Sequence, residues 1–135
     1  GMGAHVADRV ARLMMQRGFP VVGSRVLVMG LTFKENCPDL RNSRVIDVIR
    51  ELQAFNAAVE VWDPWVDPSE AEEEFGLVVE TGEPAAGRYD AVIVCVGHGA
   101  FIDMGAERVR ALGRPNAVIF DVKGLYAQDA TDGRL

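Results

Sequence analysis

Arg25-Val-Leu-Val-Met-Gly-Leu-Thr-Phe-Lys-Glu-Asn-Cys-Pro-Asp-Leu-Arg-Asn-Ser43 opens as an apolar strand, breaks at Gly30 and runs on as a loop carrying Lys34 and Arg41. A helix is expected next, over about residues 44–55, with Ser43 as its N-cap. Strand, loop and helix N-terminus form the place where open α/β sheets bind ligands, because the first helical turn offers unpaired N–H groups to an anion. A dinucleotide turn here would need two further glycines, so that the backbone could approach a pyrophosphate. Gly30 is instead followed by Leu31, Thr32, Phe33 and Lys34, in a loop of about thirteen residues. Asp63, closing the next strand, stands where an acid could accept ribose hydroxyls. Without the glycines, NAD is not expected to bind this domain.

The surrounding periodicity supplies the rest of the fold. Val6, Val10, Leu13 and Met14 recur at helical spacing, so residues 4–17 read as an amphipathic helix stopped by Gly18 and Pro20. Met14 and Met15 are assigned to helix packing, and Gly1-Met2-Gly3 carries no weight. Val45, Val48, Ile49 and Leu52 make the stripe of the second helix, which Asn56 ends. Val59–Trp62 is a strand, followed by an acidic helix from about Ser69 whose Glu70–Glu74 run is a solvated face; Gly76 closes it. Leu77–Val79 reads as a short edge strand, and residues 81–88 as a loop with one short helical turn. Ala91–Val96 is a buried strand, Gly97-His98-Gly99 a turn, and 100–112 a helix stopped by Gly113 and Pro115. Ala117–Phe120 is the last strand, and the polar tail from Tyr126 is expected to be loose. Alternating strands and helices with short connections predict a Rossmann-like open parallel sheet of about five strands, helices on both faces. An order 3-2-1-4-5 brings the first and fourth strands together at a switch point.

Composition narrows the function. The chain has 135 residues, enough for one domain with a sizeable core, and its 49% hydrophobic and 25% charged residues are an ordinary globular balance. A net charge of -6 argues against nucleic-acid binding, which needs clustered cations. No apolar run approaches the roughly 20 residues of a membrane span and no signal peptide opens the chain, so no membrane partner and a cytoplasmic location are expected. Twelve of the basic residues are Arg and only two, Lys34 and Lys123, are Lys; each lysine follows a strand. Lys34, Arg41, Arg44 and Lys123 all fall toward the C-terminal edge of such a sheet, where a diphosphate or another polyanion would be met. The plainer reading pairs Arg41 and Arg44 with Asp39 and Asp47. Phe33 has two readings, one under a base or sugar and one in the core. Trp62, Trp65 and Phe101 read as core and rim packing.

Cys37 and His98 follow adjacent strands in the expected order, so a thiolate pair is geometrically open, but no third group orients it. Cys95 lies inside an apolar strand and reads as core. Neither cysteine has metal or redox spacing, which fits a reducing compartment.

Gly30-Leu-Thr-Phe-Lys34, Asp39-x-Arg41-x-Ser43, Trp62-Asp-Pro64, His98-x-x-Phe101 and Asp121-x-Lys-Gly124 together resemble the C-terminal domain of UDP-glucose/GDP-mannose dehydrogenases. The most similar subgroup is that of the UDP-N-acetylhexosamine 6-dehydrogenases. The resemblance implies a division of labour. An N-terminal domain holds NAD, middle helices dimerise, and the C-terminal domain closes over the UDP of the substrate. In such enzymes a thiolate in a Gly-x-Cys context carries the intermediate as the sugar C6 alcohol becomes a carboxylate. Neither Cys37 nor Cys95 has that context, so no catalytic residue, cofactor-binding residue or metal ligand is expected here, and the chain is expected to be inactive alone. Residues 1–18 are similar to the tail of the preceding helical segment and 19–135 to the UDP-sugar-binding domain. The resemblance makes Phe33, Lys34, Arg41 and Lys123 the substrate-binding residues, with Arg41 ordering the loop. Lys123 stands where many members carry arginine, which leaves a point charge. The implied partners are the UDP-sugar and the N-terminal and middle domains of one chain, with the full-length enzyme a homodimer. A stand-alone nucleotide- or anion-binding regulatory module is the alternative.

Overall fold

The computed structural model describes residues 1–135. Six strands form one parallel sheet: β1 (Arg25–Met29), β2 (Ala58–Trp62), β3 (Val79–Glu80), β4 (Tyr89–Val94), β5 (Gly113–Asp121) and β6 (Gly133–Arg134). Their order is β3-β2-β1-β4-β5-β6, so the expected five-strand order holds and a sixth strand extends it. β1 lies at the centre, with Val28 opposite Val61 on one side and Ile93 on the other. All six residues of β4 are buried, as a strand covered on both faces requires.

Helices α1 (Met2–Gln16), α2 (Val45–Ala54) and α3 (Pro68–Phe75) pack on one face, and α4 (Gly99–Leu112) covers the other. Val6, Val10 and Met14 of α1 join Val48, Ile49 and Leu52 of α2 over the even side chains of β1. Gly3 does have a role, contrary to its dismissal from sequence: a Cβ there would lie 2.6 Å from that of Asp47, so glycine permits the close crossing of α1 and α2. Leu27, Met29, Val92 and Val94 face Phe101, Val109 and Leu112 of α4.

Several local expectations are corrected. Ser43 does not cap α2; its hydroxyl donates to the Leu31 carbonyl, and Arg44 precedes the first helical residue. α3 is capped by Asp67, which accepts from the Ser69 N–H. No helical turn forms over 81–88. β5 begins at Gly113, through an irregular stretch in which the register with β4 shifts and Asn116 takes a φ of 67°. Met15 is 58% exposed, because its angular position turns it away from the face that buries Met14.

The largest difference is the tail, which is ordered. The Tyr126 hydroxyl donates to the Phe101 carbonyl at 2.6 Å, and a short 3-10 turn covers Gln128–Ala130. Asp132 accepts from the Ile119 N–H and pairs with Arg17 and Arg110, and β6 then lies beside Phe120 and Asp121. The polar composition that reads as loose is spent on backbone and arginine contacts.

Candidate functional site

The loop between β1 and α2 is built around a break in the chain that only glycine fits. Gly30 has a φ of 94°, and a Cβ on it would lie 2.6 Å from the Cβ of Val96. The glycine thus serves close packing of neighbouring segments rather than approach to a ligand.

Beyond Gly30, Asp63 takes over. This carboxylate, at the end of β2 and fully buried, accepts from the N–H groups of Leu31 (2.7 Å), Thr32 (3.1 Å) and Trp65 (2.8 Å). Its fourth partner is Nε2 of His98, at 3.0 Å. Burial pushes its pKa up, yet the His98, Leu31 and Trp65 hydrogen bonds outweigh burial and leave it below the ordinary value. His98, fully buried at the start of α4, receives the Asn36 N–H on Nδ1 at 3.0 Å. The far end of the loop is closed by Phe33 N–H donating to the Asp39 carbonyl. Loop and sheet edge are therefore cross-tied at three strand ends.

Next to this loop lies a cleft of about 300 Å³. Thr32 and Phe33 line one wall, Arg44 and Val45 at the start of α2 a second, and Lys123 a third. Met2, Cys95 and Val96 complete the lining, and no acidic side chain is among these residues. Two cations and the N-terminus of a ten-residue helix thus face a common space. That arrangement suits a di-anion, because free N–H groups and side-chain charges act on the same oxygens. Phe33 is 49% exposed, so it is a wall of the cleft and not core.

Of the four residues singled out from sequence, the cleft brings together Phe33 and Lys123. Lys34 and Arg41 lie outside its lining, both on the exposed side of the loop. Arg41 pairs with Asp39 at 3.2 Å, the plainer of its two readings, and this contact holds the Asp39 carboxyl below its usual range. Arg44 makes no ion pair with Asp47 and instead lines the cleft. Its place one residue before the helical stripe was the available signal. Thr32 and Val45 carried none.

The Cys37–His98 pair does not form: both ring nitrogens of His98 are occupied by other groups. Cys95 faces the cleft from within the fold, and burial pushes its thiol up to about 12, with only partial opposition from Lys123. A thiol so placed stays protonated and unreactive.

A dinucleotide does not fit the turn after β1. The Leu31 and Thr32 N–H groups, which would have to meet a pyrophosphate, are already bound to Asp63. The same carboxylate, at the position that would accept ribose hydroxyls, is fully buried.

The molecule is an open, parallel α/β domain in which a longer loop, cross-tied by Asp63 and His98, stands where a dinucleotide turn would follow β1. The chain belongs to the UDP-glucose/GDP-mannose dehydrogenase family, whose UDP binding domain matches residues 27–128. It is 48% identical over its whole length to the UDP-N-acetyl-D-glucosamine 6-dehydrogenase of Pseudomonas aeruginosa, covering 32% of that protein. With the enzyme of the same name from Salmonella typhi it shares 42% over 99% of its length and 31% of the relative's. The chain thus spans about a third of the length of these curated relatives. The fold is also that of a segment of the NDP-N-acetyl-D-galactosaminuronic acid dehydrogenase structure from Methanosarcina mazei. There the TM-score is 0.80 at 23% identity, over 96% of this chain and 26% of that one.

Proposed function

We propose that this chain is the part of an NAD-dependent UDP-sugar 6-dehydrogenase that grips the UDP of the substrate, in an enzyme making UDP-uronic acids for polysaccharide biosynthesis. The observation that carries this reading is the acid-free cleft of Phe33, Arg44, Lys123 and the α2 N-terminus, in a chain of net charge -6. Lys123 supplies a point charge and Arg44 a planar fork for the diphosphate oxygens. Phe33 offers a flat apolar wall to the nucleoside. Lys34 is a substrate-loop residue on the outer side of the loop, and Arg41 orders that loop through its pair with Asp39. NAD, when bound, accepts hydride from the sugar; this chain's residues hold the nucleotide and take no part in that transfer. NAD-binding and dimer-forming domains supply the remainder, and the enzyme works as a cytoplasmic homodimer.

Titrating UDP into the chain tests the reading. The chain is expected to bind UDP saturably, and Lys123→Ala or Arg44→Ala should weaken binding about tenfold, the cost of one charge-assisted contact. Arg12→Ala, which removes an exposed pair with Asp8 on α1, should leave it unchanged. Absence of UDP binding, or equal effects of the three changes, would overturn it.

A further inference from the structure

We propose that His98 is a positioning residue for the nucleotide loop, acting as a neutral ring whose single proton sits on Nε2. The assignment follows from the donors around it. The Asn36 N–H points at Nδ1 from 3.0 Å, and a backbone N–H cannot reverse its role, so Nδ1 is the lone-pair nitrogen. Nε2 then carries the hydrogen and faces Asp63 Oδ2 at 3.0 Å and Thr32 Oγ1 at 3.2 Å. The Thr32 hydroxyl spends its own hydrogen on the Lys34 carbonyl, at 3.0 Å, which leaves its lone pairs toward the ring.

One buried side chain therefore holds the loop at two places, Thr32 and Asn36, and through Asp63 also at Leu31. Phe33 and Lys34 lie between the clamped points. Asn36 returns the contact: with a φ of 53° it turns its side chain back so that Oδ1 accepts the Gly99 N–H at 3.0 Å. Residues 36 and 98–99 are thus buckled from both sides. His98 does not line the cleft, yet it sets where the residues that do line it can stand. Its effect on binding rests on the proposed UDP site; its effect on the loop does not.

Two substitutions separate the ring's two ends. In His98→Asn the side-chain oxygen falls near the place of Nδ1 and keeps the acceptor for Asn36 while losing Asp63. In His98→Gln the amide nitrogen falls near the place of Nε2 and keeps Asp63 while losing Asn36. Hydrogen exchange of the Asn36 amide should quicken by about tenfold in H98Q, and by less than about threefold in H98N, as expected for loss of one buried partner. UDP affinity should fall further in H98Q than in H98N. Nitrogen-15 spectra of the unmodified chain should show an Nε2-protonated imidazole, a reading that no folding defect in a variant can disturb. An Nδ1-bound proton, or unchanged Asn36 exchange in H98Q, would overturn the proposal. If the unmodified chain binds no UDP while the exchange pattern holds, the UDP site falls and the positioning role stands.

Discussion

Asp63 shows how one buried carboxylate can replace a ligand-binding turn. Four donors converge on it, three of them backbone N–H groups. A charge without that shell would be expelled from the interior, since desolvation alone raises a carboxyl pKa. Here hydrogen bonding wins and the folded pKa falls below the ordinary 3.8. The sign of the linkage follows. A depressed folded pKa contributes stability that is complete above the unfolded value and is lost as pH falls through the folded one, so the loss lies below about pH 4. Asp63→Asn keeps the shape but removes the charge and sets an amide N–H₂ among donors. It should cost about 2–3 kcal/mol at neutral pH. It should also flatten the acid limb of stability, measured by denaturant unfolding at pH 7 and pH 3. Equal stability of the two proteins at pH 7 would contradict the hub role.

At the scale of elements, the junction of β1 with its loop depends on contact with Val96, just past β4. Gly30→Ala meets both a positive φ and a Cβ approach of 2.6 Å to the Cβ of Val96 and 3.0 Å to its backbone nitrogen. Strain and overpacking together predict a loss of about 3 kcal/mol, visible as a lowered thermal midpoint. A midpoint within a degree of the original would show that the junction can yield. The elements themselves were legible because burial and period agree: β1, α2 and β4 are apolar in runs or stripes that admit one assignment. The strand order was legible too, since alternating strands and helices leave few topologies. Asp63 and His98 lie 35 residues apart and Thr32 and His98 lie 66 apart, so nothing local announces their contacts. The tail failed for a related reason. Asp132 looks like a solvated acid until Arg17, on the far side of the chain, is seen to reach it. Lys34 and Arg41 share a loop with Phe33, but side-chain direction within an irregular loop has no period to read.

Across the whole molecule the distribution of charge matters more than its sum. A chain of net charge -6 repels anions at long range, yet Arg44, Lys123 and the α2 N-terminus face one cleft whose lining residues include no acid. Local attraction therefore has to overcome a repulsive background. The turn after β1 has no free donors for a pyrophosphate, because the N–H groups of Leu31 and Thr32 already belong to Asp63. On the proposed function, the crevice takes the substrate's nucleotide while the turn after β1 cannot grip a dinucleotide. Amide chemical-shift mapping with UDP and with NAD, each added to the same labelled chain, separates the two ligands. UDP should shift Thr32, Phe33, Arg44, Val45 and Lys123 together, and NAD at the same concentration should shift none of them. Shifts at Leu31 and Thr32 induced by NAD, with the cleft silent toward UDP, would contradict it.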